Sequence, residues 1–154
     1  MIFHAIWMIS GRTISMNAQT NPHRVDVLSW DGEGYRPLVA SGDWLVALMN
    51  WEHRFDLTTA GKIERHNLTD EVFVLLRGRG LLFIVTDAGV QAFDMQPGLV
   101  YNVTPGTWHS VIGTRDATWL IVEARDTSVE NSDYRPMTVE EMDALKDQYP
   151  AWLR

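Results

Sequence analysis

The 154-residue chain contains no cysteine. That excludes disulfides, thiolate nucleophiles and thiolate metal ligands, so any bound metal must be held by His, Asp or Glu. Basic residues are few and scattered: 13 Lys and Arg stand against 20 Asp and Glu, for a net charge of -7. No basic stripe offers a nucleic-acid footprint, and a polyanionic partner is not expected. Long hydrophobic runs are missing too. The opening "MIFHAIWMISGRTISM" has neither a basic leader nor the length of a membrane span, so no membrane partner is expected and a cytoplasmic location is. Nor is there a G-x-S-x-G elbow or a phosphate-cradling glycine loop, which leaves Ser or Cys covalent catalysis and nucleotide hydrolysis without machinery.

What is present is apolar content of 45%, enough for one packed core in a chain of this size. Residues 1–24 read as an N-terminal arm, with Met16 an alternative start, and His4 and His23 in the flanking sequence are given no role. From residue 25 to about 125, short apolar runs alternate with turn residues: "WLVALMNW", "EVFVLLR", "LLFIV", "VQAFD", "LVYNV", "WHSVIG", "TWLIVEA". Such spacing predicts an all-β barrel or sandwich. "EVFVLLR" and "LLFIV" are apolar on both faces, which predicts cover from a second layer or a partner subunit and points to a homodimer. Residues 126–154 read as a polar, turn-rich loop and then a helix packed on the barrel. Thr138 caps it with Glu141 closing a capping box, Met137 and Met142 form a staple, and Val139, Met142, Leu145 and Tyr149 supply the docking side.

In "KIERHNLTDEVFVLLRGRG", strand alternation puts Glu64 and His66 on one face. The "NLTD" turn then brings Glu71 beside His66 on a neighbouring strand, with Phe73 and Leu75 following it inward. His109 follows the Pro105-Gly106 turn at the start of another apolar strand. Two imidazoles and one or two carboxylates without thiolate suit a divalent transition metal such as Fe, Mn, Ni or Zn.

His66 with Glu71 after four intervening residues, then Gly78 and Gly80, forms a first motif; Gly98, Pro105, Gly106 and His109 form a second. Together they closely resemble the two motifs of the cupins, over roughly residues 40 to 125. The resemblance implies an antiparallel jelly-roll barrel holding a metal near one end, with His66, Glu71 and His109 as ligands. The first histidine of the family's H-x-H pair falls on Glu64 here, and the expected preceding glycine is out of register, Gly61 being nearest. Either Glu64 supplies an oxygen ligand, or His66, Glu71 and His109 form a three-ligand set with open positions. The Glu-x-His spacing also resembles, more faintly, bacterial cupins acting on sugars as anomerases or isomerases.

Other candidates surround this set. Glu64, His53 and Tyr101 are proton-transfer candidates. Phe73, Arg77, Trp44 and Glu123 are pocket candidates: Arg77 for an anionic group, Trp44 for stacking, Glu123 to support a bound histidine. Trp108 is expected to face away from His109. The leading expectation is an isomerase, epimerase or dioxygenase acting on a small polar sugar or organic acid. The rival is a binding or sensor barrel without metal.

Overall fold

The computed structural model describes residues 25–154; the expected N-terminal arm lies outside the described residues. Period-two alternation in the apolar runs gives ten strands, and each run of turn residues ends one. Strands β1 (Gly34–Ser41), β2 (Trp44–Asn50), β9 (Thr118–Ala124), β4 (Glu71–Arg77) and β7 (Val100–Val103) form one sheet in the order β1-β2-β9-β4-β7. The second sheet runs β10-β3-β8-β5-β6, from β10 (Ser132–Pro136), β3 (Lys62–His66), β8 (Trp108–Gly113), β5 (Gly80–Thr86) and β6 (Gly89–Asp94). All pairings are antiparallel, and the sheets face each other as an all-β jelly-roll barrel with one C-terminal helix. No helix among the described residues is long and apolar enough to cross a membrane.

The space between the sheets is filled by Met49, Phe55, Phe73, Leu75, Leu82, Val111, Trp119 and Ile121. Trp119 is wholly buried and meets the edge of Phe55 at 5.7 Å. Its bulk dictates glycine nearby: a Cβ on Gly80 would lie 2.9 Å from the indole Nε1. In the "RGRG" turn only Gly78 has positive φ, at +71°, and a Cβ there would also come within 2.6 Å of the Ala117 Cα. Gly80 serves close approach instead.

A second apolar layer lies outside the β5-β8-β3 face, where Ile63, Leu81, Phe83, Val85 and Ile112 meet Met137, Met142, Leu145 and Trp152. The two-sided apolar character of β5 therefore belongs to cover by the C-terminal segment. On β4 the inner residues Phe73 and Leu75 are buried while Val72 and Val74 are half-buried and Leu76 is exposed, so the second face lacks such cover. Helix α1 (Val139–Lys146) begins at the expected capping box of Thr138 and Glu141. Val139 departs from expectation; it points to solvent at 72% exposure while Leu145 and Met142 dock. Gln148 bonds the Ala92 amide and the Val90 carbonyl, closing the free edge of β6. The polar segment after β9 is not all loop: its end forms β10, which flanks β3.

Candidate metal centre

Strand alternation sets Lys62, Glu64 and His66 on the inner side of β3, and β8 brings His109 into register opposite Glu64. Glu71 opens β4. The expected placement of Glu71 on a strand neighbouring His66 is corrected by the topology: β3 lies between β10 and β8, while β4 lies between β9 and β7. The 67–70 connection crosses from one sheet to the other, so Glu71 meets both histidines across the barrel interior. Asp70, adjacent in sequence, turns outward and accepts from the Asn102 amide at 3.0 Å.

Glu71 Oε2 stands 2.8 Å from His109 Nε2 and 3.0 Å from His66 Nε2. Glu64 completes the group, with one donor atom from each of the four residues lying within 4.8 Å of the others. The far nitrogens are also tied: His66 Nδ1 meets Ser132 Oγ at 2.8 Å, and His109 Nδ1 donates to the Thr107 carbonyl at 2.8 Å. Fixing one ring nitrogen through a neighbour orients the other, as in metal-ligating histidines. Phe73 packs its ring against His109 at 5.8 Å, nearly edge-on.

Burial and charge compete here. Burial alone would push both imidazoles toward neutrality, yet the Glu71 hydrogen bond and the charges of Glu71 and Glu64 hold them above the ordinary histidine value. Burial would likewise raise Glu71, but its bonds to His109 and His66 hold it low. Glu123, register partner of Glu71 across β4 and β9, is pushed up by burial and by the Glu71 charge, against the hydrogen bond it accepts from the Tyr35 hydroxyl. Burial first, and then Glu123, raises the Tyr35 phenol. Two imidazole nitrogens and carboxylate oxygens converging without thiolate form a donor set that fits a divalent transition ion.

A cavity of about 260 Å³ opens beside the cluster. Glu64, His66, Glu71 and Glu123 line it together with Tyr35, Met49, Arg54 and Tyr134. The structure does not bring the remaining sequence candidates there. His53 is exposed on the 3-10 segment His53–Phe55, and it is the next residue, Arg54, that reaches the cavity. Tyr101 accepts a bond from the Gln96 amide and lines a separate groove with Leu82 and Phe93. Arg77 sits at the far end of β4, donating to Thr118 Oγ1 at 2.8 Å, and Trp44 is largely exposed at the start of β2. Phe73 is buried behind His109 and does not line the cavity. Trp108 does face away, packing on the outer apolar layer.

Tyr35, Arg54, Ser132 and Tyr134 stand outside the motifs legible in the sequence. Tyr35 arrives from β1 through β2 and β9; Ser132 and Tyr134 arrive from β10, opposite His66 and Glu64. Only the alternation within "SDYRP" signals that last strand.

No protein-family model matches the chain, and no curated protein matches it. Solved structures do. A cupin-2 domain-containing protein from Shewanella frigidimarina is 22% identical over 62% of this chain and 85% of its own, with a TM-score of 0.45. A variant of Streptomyces PAC13 with uridine is 11% identical over 71% of this chain and 85% of its own, with a TM-score of 0.52. Oxalate decarboxylase from Bacillus subtilis at pH 4.6 is 15% identical over 59% of this chain and 23% of its own, at a TM-score of 0.45.

Proposed function

This chain has the cupin fold, and on that premise we propose that it is a metal-dependent enzyme acting on a small polar metabolite, a sugar or an organic acid, inside the barrel. His66, Glu71 and His109 hold a single divalent ion, Fe, Mn, Ni or Zn, with Glu64 as fourth ligand. The observation that carries this reading is the convergence of two oriented imidazole Nε2 atoms and two carboxylates within 4.8 Å. When bound, such an ion supplies Lewis-acid or redox chemistry at a substrate oxygen, the common requirement of isomerase, epimerase and dioxygenase reactions.

The chain's own residues do the rest. Glu64 is the least buried member of the cluster and faces the cavity, so its carboxylate moves a proton to or from substrate when it is not fully engaged as a ligand. Tyr35 and Glu123, hydrogen-bonded to each other, present a second exchangeable proton on the opposite wall. Met49 gives the cavity an apolar wall, and Phe73 packs behind His109 outside it. In the same reading the chain is a cytoplasmic homodimer; exposed Val39 and Trp44 near the free edge of β1 support the pairing.

A second reading, a sensor barrel without metal, draws support from Glu71 satisfying both imidazoles by itself. Elemental analysis of untagged protein separates the two. The enzyme reading expects stoichiometric transition metal that His66→Ala and His109→Ala lose, while Glu64→Ala weakens retention or spares it and damages turnover. Wild-type protein that takes up no ion when one is offered, or three variants that hold it as tightly as wild type, overturns the enzyme reading.

A further inference from the structure

Strands β3 and β8 are registered through one pair alone, Glu64 with His109. Toward Lys62 the two strands part, and the His53–Phe55 segment enters the gap, with Phe55 reaching the core. A second cavity of about 110 Å³ lies there, lined by Arg54, Thr59, Lys62, Glu64, Ser110 and Tyr134 among others. Arg54, Glu64 and Tyr134 also line the larger cavity, so these three form a wall shared by both.

Charge is divided unevenly across that wall. The larger cavity is lined by three carboxylates, Glu64, Glu71 and Glu123, and by one cation, Arg54. The smaller one has two cations and one carboxylate, that of Glu64, which belongs to the metal-binding group. Lys62 forms no ion pair among the described residues, and its Nζ is held 4.8 Å from the centre of the Tyr134 ring. Arg54 engages Glu52 through Nε alone, at 2.5 Å, lies over the Phe55 ring and is half exposed, and its terminal nitrogens form no ion pair among the described residues. The Ser110 hydroxyl makes no hydrogen bond among the described residues and adds a neutral donor. On a chain of net charge -7, general attraction does not bring anions to this spot.

Resting on the function proposed above, we infer that the smaller cavity is an oxyanion subsite: Arg54, Lys62 and Ser110 bind a carboxylate or phosphate at one end of the substrate while its hydroxyl or carbonyl end reaches His66, Glu71 and His109. The cations of the smaller cavity retain the anionic end, apart from the carboxylates of the larger one. Orientation thus follows from charge. Arg and Lys divide the work as planar fork and mobile point charge.

Inorganic phosphate and acetate, titrated separately into the full chain by calorimetry, test this. At least one of them binds wild-type protein, and whichever binds more tightly identifies the group. Lys62→Gln and Arg54→Gln each weaken that binding by about tenfold, the loss of one charge-assisted hydrogen bond. His109→Ala and chelator-treated wild type bind the anion as before, since the subsite holds it without the ion. The inference is overturned if neither anion binds, if Lys62→Gln leaves affinity unchanged, or if chelation abolishes binding. A wild-type chain that holds no metal yet binds phosphate through Lys62 would sink the enzyme reading and leave the anion subsite standing.

Discussion

The Nδ1 atom of His109 lies 2.8 Å from the backbone carbonyl oxygen of Thr107. A carbonyl can only accept, so the ring proton sits on Nδ1 and the neutral imidazole aims the lone pair of Nε2 at Glu71. A lone pair 2.8 Å from an ionised carboxylate oxygen is repulsive unless a positive charge intervenes. Either an imidazolium proton or a metal cation meets that requirement, and the choice between them sets how the site responds to its surroundings.

Ser132 holds the other ring. It is buried on β10 and meets His66 Nδ1 at 2.8 Å. Ser132→Ala is expected to leave the barrel folded while lowering metal affinity by roughly 10–100-fold, the usual effect of losing a group that orients a ligand. Competition against a chromophoric chelator measures this, and unchanged affinity would remove Ser132 from the centre's support.

Acidity provides the next check. In the metal-free chain both imidazoles are held above the ordinary value of 6.5, burial being outweighed by Glu71. Groups raised on folding stabilise the protein fully below the unfolded value and cease to as pH rises through the folded one. Glu71, held low on folding, has the opposite slope: its contribution is present above the ordinary carboxylate range and is lost as pH falls through its folded value. Metal-free protein therefore has its greatest cluster-derived stability in weak acid, between those two titrations. Metal affinity should run the other way, rising with pH as the imidazoles give up protons to bind. Chemical denaturation across pH, with and without metal, reads both slopes; parallel profiles would contradict the assignment.

Far from the site, Gly78 tests the fold on its own. Its φ of +71° and the 2.6 Å approach of a Cβ to Ala117 both oppose a side chain. Gly78→Ala should cost about 1–3 kcal/mol from backbone strain, with further loss if the Ala117 segment must shift. Metal stoichiometry should not change, because the substitution lies at the opposite end of β4 from Glu71. Thermal unfolding beside elemental analysis separates these outcomes.

The strands and the four-residue cluster could be read from sequence because each depends on local signals: alternation along a strand, glycine and proline at turns, and two motifs at a suitable separation. The capping box at Thr138 is equally local. Arg77 shows the limit of such reading. It shares sequence parity with Glu71, but the register of β4 shifts between Leu75 and Arg77, and six residues of strand carry it to the other end of the barrel. His53 and Arg54 differ by one position within a single 3-10 turn, where strand parity does not apply. Tyr35 reaches Glu123 only through the pairing of β1 with β2 and of β2 with β9, information that no local pattern contains.

The opening between β3 and β8 has an evolutionary consequence. Because a connecting segment rather than a paired strand occupies it, changes of length beside His53–Phe55 that keep Phe55 in the core need not disturb the register of either sheet. Descendants of this chain could thus remodel the smaller cavity to accept longer or shorter molecules while inheriting the metal-binding donors intact. Substrate range can diversify at that connection without rebuilding the barrel.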